Sequence, residues 1–516
     1  MPTAWKKWLF VVGVLVATHL ASAAYYYERF ASGAVREGPA GALTLDLTTD
    51  EWIRIACSRD PTTYLRAAEN VAAGKGMTIR VPGSNPPRIE PFYYWGPGAP
   101  FVYGWWLRLF GDGTMRPLFG FAVLSQLAFG AIAVATAALW TRSTAALVLT
   151  AFFTGCCPPL QNWFYSSNLP SSELVGLLPL SAMTYVLSKA FIAYHATEAT
   201  TWRSAYSRPV WLWFAAAGLF IGLHSLVRDS GSAFALFVAA FLVGRAMLVD
   251  RQRLALAGAA ALVMMTATQA VRFPVERWNQ ARIGQPIVSS SGAVAIWRYS
   301  LWVAPNRQVI HEIVAARIDD SSAAAIDWFE RDLYQSCIAA GFGFGQCLDP
   351  QAAERVEAHY RAGGRSSALF SLGQFIQAVI CHPAEAIAFK AKRLPVLWLG
   401  AGMWPDGVFD LASLWCVGSY GLLIAYFVIQ WRRRRRIPEP LYLYLALIVC
   451  AMPLIHFEFR YTFPVWNGLV LAPGLLLSTL RDQDRHSVVA DVAIAPFDSN
   501  SAGHGPIEVL LASSRR

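Results

Sequence analysis

Nearly uncharged stretches of about 20 residues recur along this chain of 516 residues. A helix of that length matches the roughly 30 Å hydrocarbon core of a bilayer. The first stretch, WLFVVGVLVATHLASAA at 8–24, follows Lys6 and Lys7. Others fall near 118–140, 144–161, 173–194, 209–226, 231–249, 254–272, 411–431, 440–456 and 461–480. The chain is 55% hydrophobic and only 15% charged, against about 25% charge in a soluble domain. That leaves too little polar surface for a cytosolic enzyme and too much apolar sequence for a disordered chain. The 8–24 stretch is compatible with a signal peptide, but no processed soluble domain follows it, so it is read as an uncleaved first helix. The pattern predicts an all-α polytopic membrane protein of roughly ten transmembrane helices with two long outer-face segments.

The net charge of +10 is concentrated beside apolar stretches, most of all at Arg432 to Arg436. With a cytoplasmic N-terminus, alternate connections carry Arg142, then Arg203 and Arg208, then Arg251 and Arg253, then the Arg432 run, then Arg481 and Arg485. Every short connection on one side is therefore basic, as the positive-inside rule requires. A nucleic-acid partner is not expected, and both termini are placed in the cytoplasm. The organisation predicted is 1–24 as N-terminus and first helix, 25–117 as an outer loop, 118–272 as helices two to seven, 273–410 as an outer-face segment suited to acceptor binding, 411–480 as the last three helices and 481–516 as a cytoplasmic tail. FVYGWWLRLFG at 101–111 is too short to cross and is expected in the interface. Helical periodicity also runs through 308–335 and 351–360. Cys337 and Cys347 face the oxidising side and either pair or stay free, and no cysteine has metal-ligand spacing. The Ala- and Arg-rich composition points to a bacterial inner membrane.

The residues richest in chemical meaning lie in the first outer loop: Asp60-Pro-Thr-Thr-Tyr64, continuing through Ala68 and Asn70 to Gly74 and Gly76. Asp60, Tyr64 and Ala68 are four apart and share one helix face. A purely structural reading is complete: Asp60 as N-cap, Pro61 in the first turn and the glycines as terminators. A capping carboxylate can also serve as a base, so the two roles coexist. Arg228 ends the apolar 209–226 stretch, where an ionisable residue is costly and raises a functional expectation. Pairing with Asp229 or reaching to water along its stem is the structural alternative.

Four stretches together resemble the GT-C glycosyltransferases, the superfamily of protein O-mannosyltransferases and lipid A aminoarabinose transferases. They are the Asp60, Tyr64, Ala68, Asn70, Gly74 spacing; Trp95-Gly-Pro97-Gly98-Ala-Pro100 running into Leu109-Phe-Gly111; His382-Pro383 ahead of Phe389, Lys392 and Trp398; and Glu458-Phe-Arg460-Tyr461 with Pro464. Their order covers about residues 60–480. Where many relatives carry an acidic pair this chain reads Asp60-Pro61, and the nearest acidic pair, Asp50-Glu51, lacks the downstream spacing. Pro86-Pro87-Arg88 is a loose echo of a Lys-Pro-Pro element.

The resemblance implies transfer of a monosaccharide from a polyprenyl-phosphate donor to an acceptor on the outer face, the acceptor being a glycolipid, polysaccharide or protein of the cell envelope. It implies Asp60 as the catalytic carboxylate and Tyr64, Arg88, Arg228, Glu458, Arg460 and Tyr461 as substrate-binding residues. No cofactor is predicted; His224 and His456 with Asp229 and Glu458 are compatible with a weak divalent-cation site that nothing else supports. The partners expected are the lipid-linked donor, membrane lipid and the acceptor. Two rival readings remain open at this point: a transporter or flippase for lipid-linked sugars, and a non-catalytic binding protein.

Overall fold

A computed structural model describes residues 2–34, 60–80, 89–92, 96–113, 116–165, 170–195, 210–228, 230–249, 251–284, 286–289, isolated positions between 380 and 387, 411–433, 437–448 and 463–481. Arg88, Asp229, His456, Glu458, Arg460, Tyr461, Asp50, Glu51, the 308–335 and 351–360 stretches, Cys337, Cys347 and the tail beyond 481 lie outside the described residues.

The described chain is helical apart from one small hairpin. In order it forms α1 (Pro2–Ala34), α2 (Asp60–Ala72), β1 (Thr78–Arg80), β2 (Ile89–Pro91), α3 (Gly98–Phe110), α4 (Arg116–Ala138), α5 (Thr144–Gly155), α6 (Pro158–Phe164), α7 (Ser172–His195), α8 (Val210–Val227) and α9 (Ser230–Val249). After a 3-10 turn at Arg251–Arg253 come α10 (Leu254–Ile283), α11 (Leu411–Arg432), α12 (Glu439–Ala446), α13 (Phe463–Leu469) and α14 (Ala472–Arg481). Among the described residues, seven helices are long and apolar enough to cross a membrane, against the ten spans expected. The stretch 231–249 also forms a helix, α9. The expected span at 144–161 is recovered as one of the seven with an interruption at Cys156-Cys157, that at 461–480 is broken in two, and both interruptions have a common cause. Pro158 follows Cys157, and Pro473 follows the Val470-Leu471 turn. A proline lacks its N–H and its ring clashes with the carbonyl four residues back, so the next helix starts at Pro158 in one case and one residue before Pro473 in the other. Helix α10 is longer than its apolar stretch: 30 residues extend about 45 Å, so its last turns overshoot a 30 Å core.

Helices in lipid gain little from the hydrophobic effect between themselves and rely on close packing of small residues. Helix α8 packs most closely on α10 and α7. Its Gly218-x-x-x-Gly222 face meets α10 so tightly that a Cβ on Gly218 would overlap the Met264 carbonyl, and one on Gly222 would sit 2.7 Å from the Val271 Cβ. Thr268 Oγ1 donates to the Gly218 carbonyl at 3.0 Å across this seam. In mid-bundle, Ser181 Oγ of α7 donates to Asn467 Oδ1 of α13 at 2.6 Å, and Thr184 bonds Tyr444 of α12.

One end of the bundle gathers the basic residues. Lys7 bonds the Arg142 carbonyl, Thr141 bonds Ser478 at 2.7 Å, and Arg433 Nη1 donates to the Thr479 carbonyl at 2.6 Å. At the same end of α7, Arg253 caps the Tyr194 carbonyl at 2.8 Å. Beside it the fully buried Glu439 carboxylate takes His195 at 2.7 Å and Arg245 at 3.2 Å, joining α7, α9 and α12.

Two substitutions and one control test this packing. Gly218→Val is expected to destabilise the fold by about 1–3 kcal/mol through overpacking, whereas Gly244→Ala, with open space around its Cβ position, leaves the melting temperature unchanged. Glu439→Gln is expected to cost about 2 kcal/mol, less than a fully enclosed pair would lose because the Arg245 guanidinium reaches solvent. Thermal melting in detergent micelles reads both, and a melting curve identical to wild type refutes the assignment concerned.

Candidate functional site

The first-loop motif folds as its spacing suggests. Asp60 heads α2, with Pro61 in the first turn, where a missing N–H leaves no bond unmade. Tyr64 and Ala68, one and two turns on, are buried. Beyond Ala72 the chain reverses through Gly74 and Gly76 at φ +74° and +75°, a region other L-residues rarely adopt. Asn70 fastens this reversal by donating Nδ2 to the Thr78 carbonyl at 2.9 Å, while its own carbonyl accepts the Lys75 N–H at 2.8 Å. The hairpin then pairs Thr78 with Pro91 and Arg80 with Ile89, and delivers the Phe92 ring to within 6.3 Å of Tyr64. Burial raises the Glu69 carboxyl above its usual range, against the opposing pull of Arg66 at 3.0 Å.

The Gly-Pro-Gly stretch has a steric function. A Cβ on Gly96 would lie 2.5 Å from both the Leu226 and Val227 carbonyl oxygens at the end of α8, and one on Gly98 would lie 2.9 Å from Val227 Cγ2. Only glycine lets the entry to α3 touch that helix terminus. Six residues on, Gly104 makes a second close approach: its Cβ would sit 2.5 Å from Val71 Cβ and 2.8 Å from the Ala68 carbonyl. Helix α3 is therefore a bridge, gripping α2 on one side and the end of α8 on the other. Its buried face is Ala99, Pro100, Tyr103 and Gly104. The opposite face exposes Phe101, Trp105 and Leu109 at four-residue spacing, with Arg108 stacked 5.2 Å from the Trp105 ring centre.

Tyr103 extends the bridge to α7. Its phenol donates to the Ser171 carbonyl at 3.0 Å and receives the Ser171 N–H at 3.2 Å. Complete burial pushes this phenol well above its ordinary range, so it stays protonated and keeps the donor role. Ser171 Oγ in turn caps α7 by accepting the Leu174 N–H at 3.3 Å. The next two residues meet Arg228: Glu173 forms an ion pair with its Nη1, which also donates to Ser172 Oγ at 3.4 Å. The Glu173 side chain is 4% exposed and that of Arg228 is 16% exposed. His224, one turn before Arg228, is buried with Nδ1 3.0 Å from the Gly176 carbonyl, so it serves as a link between α8 and α7.

Of the residues singled out in the sequence, Asp60, Tyr64 and Arg228 fall on elements that meet through α3. Among the described residues the ion-pair partner of Arg228 is Glu173, 55 residues away in the chain, while the adjacent Asp229 considered from the sequence lies outside them. Glu173 and Tyr103 escaped that reading. The signal for Glu173 was present: it is an acid at the start of an apolar span, subject to the same argument as Arg228. Tyr103 has no such mark, since a tyrosine among aromatic residues reads as interfacial. Among the described residues no cluster of three or more His, Cys, Asp or Glu side chains is placed to hold a metal ion.

No protein-family model and no curated protein matches the sequence. Solved structures do resemble the fold. The archaeal oligosaccharyltransferase AglB from Archaeoglobus fulgidus, in complex with an inhibitory peptide and a dolichol-phosphate, superposes with a TM-score of 0.50 at 13% identity, over 99% of this chain and 54% of that one. The Archaeoglobus fulgidus oligosaccharyltransferase in complex with Zn and sulfate gives 0.47 at 14% identity, over 97% of this chain and 51% of that one. ArnT from Cupriavidus metallidurans in the apo state gives 0.32 at 13% identity, over 83% of this chain and 74% of that one. The chain thus spans about half the length of the oligosaccharyltransferase it matches. With its apolar helices the chain is an integral membrane protein, and its fold is similar to that of the archaeal oligosaccharyltransferase AglB.

Proposed function

We propose that this protein transfers a monosaccharide from a polyprenyl-phosphate donor to an acceptor on the outer face of a bacterial inner membrane. The observation that carries the proposal is the glycine-mediated bridge of α3, which grips the first-loop helix headed by Asp60 on one side and the end of α8 that bears Arg228 on the other. Two further facts support it. This end of α7 is opposite the end where Arg253, Arg245 and His195 gather, and basic residues mark the cytoplasmic side. The AglB structure, which shares the fold, holds a dolichol-phosphate, a lipid of the proposed donor class.

In this reading Asp60 accepts the proton of an acceptor hydroxyl as its oxygen attacks C1 of the sugar. The bond between C1 and the phosphate oxygen breaks, and its electron pair leaves with the polyprenyl phosphate. Arg228 holds that phosphate through charge-assisted hydrogen bonds, which strengthen as the leaving oxygen gains charge. One carboxylate acting alone gives a single displacement with inversion at C1. Tyr64 lines the site one turn below Asp60, and Arg88, Glu458, Arg460 and Tyr461 are assigned to substrate binding on the family resemblance. The apolar face of α3 rests in the outer leaflet. The cell-envelope acceptor is assigned to the 273–410 segment.

The test uses purified protein in nanodiscs with a panel of radiolabelled polyprenyl-phosphate monosaccharides, following release of polyprenyl phosphate. Asp60→Asn is expected to slow release roughly 100-fold or more at unchanged donor binding; release at the wild-type rate removes Asp60 from catalysis. Gly96→Val is expected to abolish turnover by driving α3 off the end of α8, while Gly13→Ala, with nothing near its Cβ position, stays fully active. A wild-type protein that moves lipid-linked sugar across vesicles without cleaving it supports the transporter instead.

A further inference from the structure

Arg228 closes an apolar helix, and a lone arginine there would extend its stem toward water and leave the bundle. What it meets instead is a carboxylate on a stiff platform. Glu173 sits in the first turn of α7, its Oε2 3.3 Å from the Ser172 hydroxyl. That turn is capped by Ser171, and Ser171 is gripped at both its N–H and its carbonyl by Tyr103 of α3. The α8 side is equally constrained, because His224 bonds the Gly176 carbonyl one turn further along α7, and Gly231 approaches Ser225 so closely that its Cβ would lie 2.5 Å from the Ser225 Cα. The turn that bears the carboxylate and the helix end that bears the guanidinium are thus each held by contacts outside the pair. A guanidinium offers five N–H donors in a planar fork, a geometry that matches carboxylate and phosphate oxygens.

We propose that Glu173 is a positioning residue that orients the Arg228 guanidinium toward the phosphate of the lipid donor and thereby sets the affinity for polyprenyl phosphate. The proposal rests on the reading of Arg228 as the phosphate contact. Tyr103 and Ser171 hold the first turn of α7, which carries Glu173, so the chain of contacts runs from the first-loop bridge to Arg228.

The experiment measures binding of radiolabelled polyprenyl monophosphate to full-length protein in neutral-lipid nanodiscs, together with the melting temperature of the same samples. Glu173→Gln keeps the size and a hydrogen-bond acceptor but loses the charge, and is expected to weaken binding about tenfold or more. Glu173→Asp keeps the charge on a shorter stem and is expected to restore part of the loss. Wild-type or tighter binding by Glu173→Gln overturns the proposal while leaving the donor reading intact. Absence of binding by the wild-type protein overturns the donor reading, and this proposal with it. If Glu173→Gln does not fold, Glu173→Asp decides: weakened binding at wild-type melting temperature supports positioning, and wild-type affinity refutes it. Weakened binding that follows a lowered melting temperature in both variants means a structural role only, which also overturns the proposal.

Discussion

Backbone can touch backbone only where side chains are missing, and the end of this bundle that bears Arg228 is built on that constraint. Gly96 and Gly98 bring the entry of α3 onto the last carbonyls of α8, and Gly104 brings the middle of the same helix onto Ala68 and Val71 of α2. A single short helix thereby ties a loop helix to the membrane bundle. Tyr103 of the same helix adds the third attachment, to the residue that caps α7. The relative placement of Asp60 and Arg228, which come from separate parts of the chain, follows from these contacts. A methyl group at Gly96 has no space to occupy, so a change of one carbon there is felt at every element the bridge joins.

The distribution of polar groups separates the bundle into three levels. Ion pairs sit at the two ends, Glu173 with Arg228 at one and Glu439 with Arg245 at the other, where His195 also lies 2.7 Å from the carboxylate. Between them the interhelical bonds described above use hydroxyl and amide groups, as in Ser181 with Asn467 and Thr184 with Tyr444. Neutral partners cost less to bury than charges, and their bonds across lipid-embedded helices are worth roughly 1 kcal/mol each. Charge held at one end suits chemistry at a membrane surface, where a lipid tail stays in the bilayer while its head group meets water.

Much of the fold was legible because the bilayer narrows the choices. A nearly uncharged stretch such as 172–195 or 210–227 has to be a helix in lipid, since no water is present to satisfy its backbone. The motif around Asn70, Gly74 and Gly76 was legible for a similar reason: left-handed backbone demands glycine, and the amide that closes the turn is local. Breaks inside the apolar stretches were less visible, although Pro158 and Pro473 marked them, because hydropathy averages over a proline. The overshoot of α10 was missed since its last turns carry Arg272, Arg277 and Arg282, which end an apolar pattern without ending a helix.

The sequence by itself determined which segments are helices, which end of the bundle is basic, and that Asp60 begins a helix with Tyr64 and Ala68 on one face. These are local or periodic properties, set by a residue and its near neighbours. Tertiary structure decided the partner of Arg228, the clamp made by Tyr103 and the reason for the Gly-Pro-Gly stretch. Each depends on residues from 55 to 131 positions apart being brought within contact. Pairing across such distances is chosen by how helices pack, and no spacing along the chain encodes it.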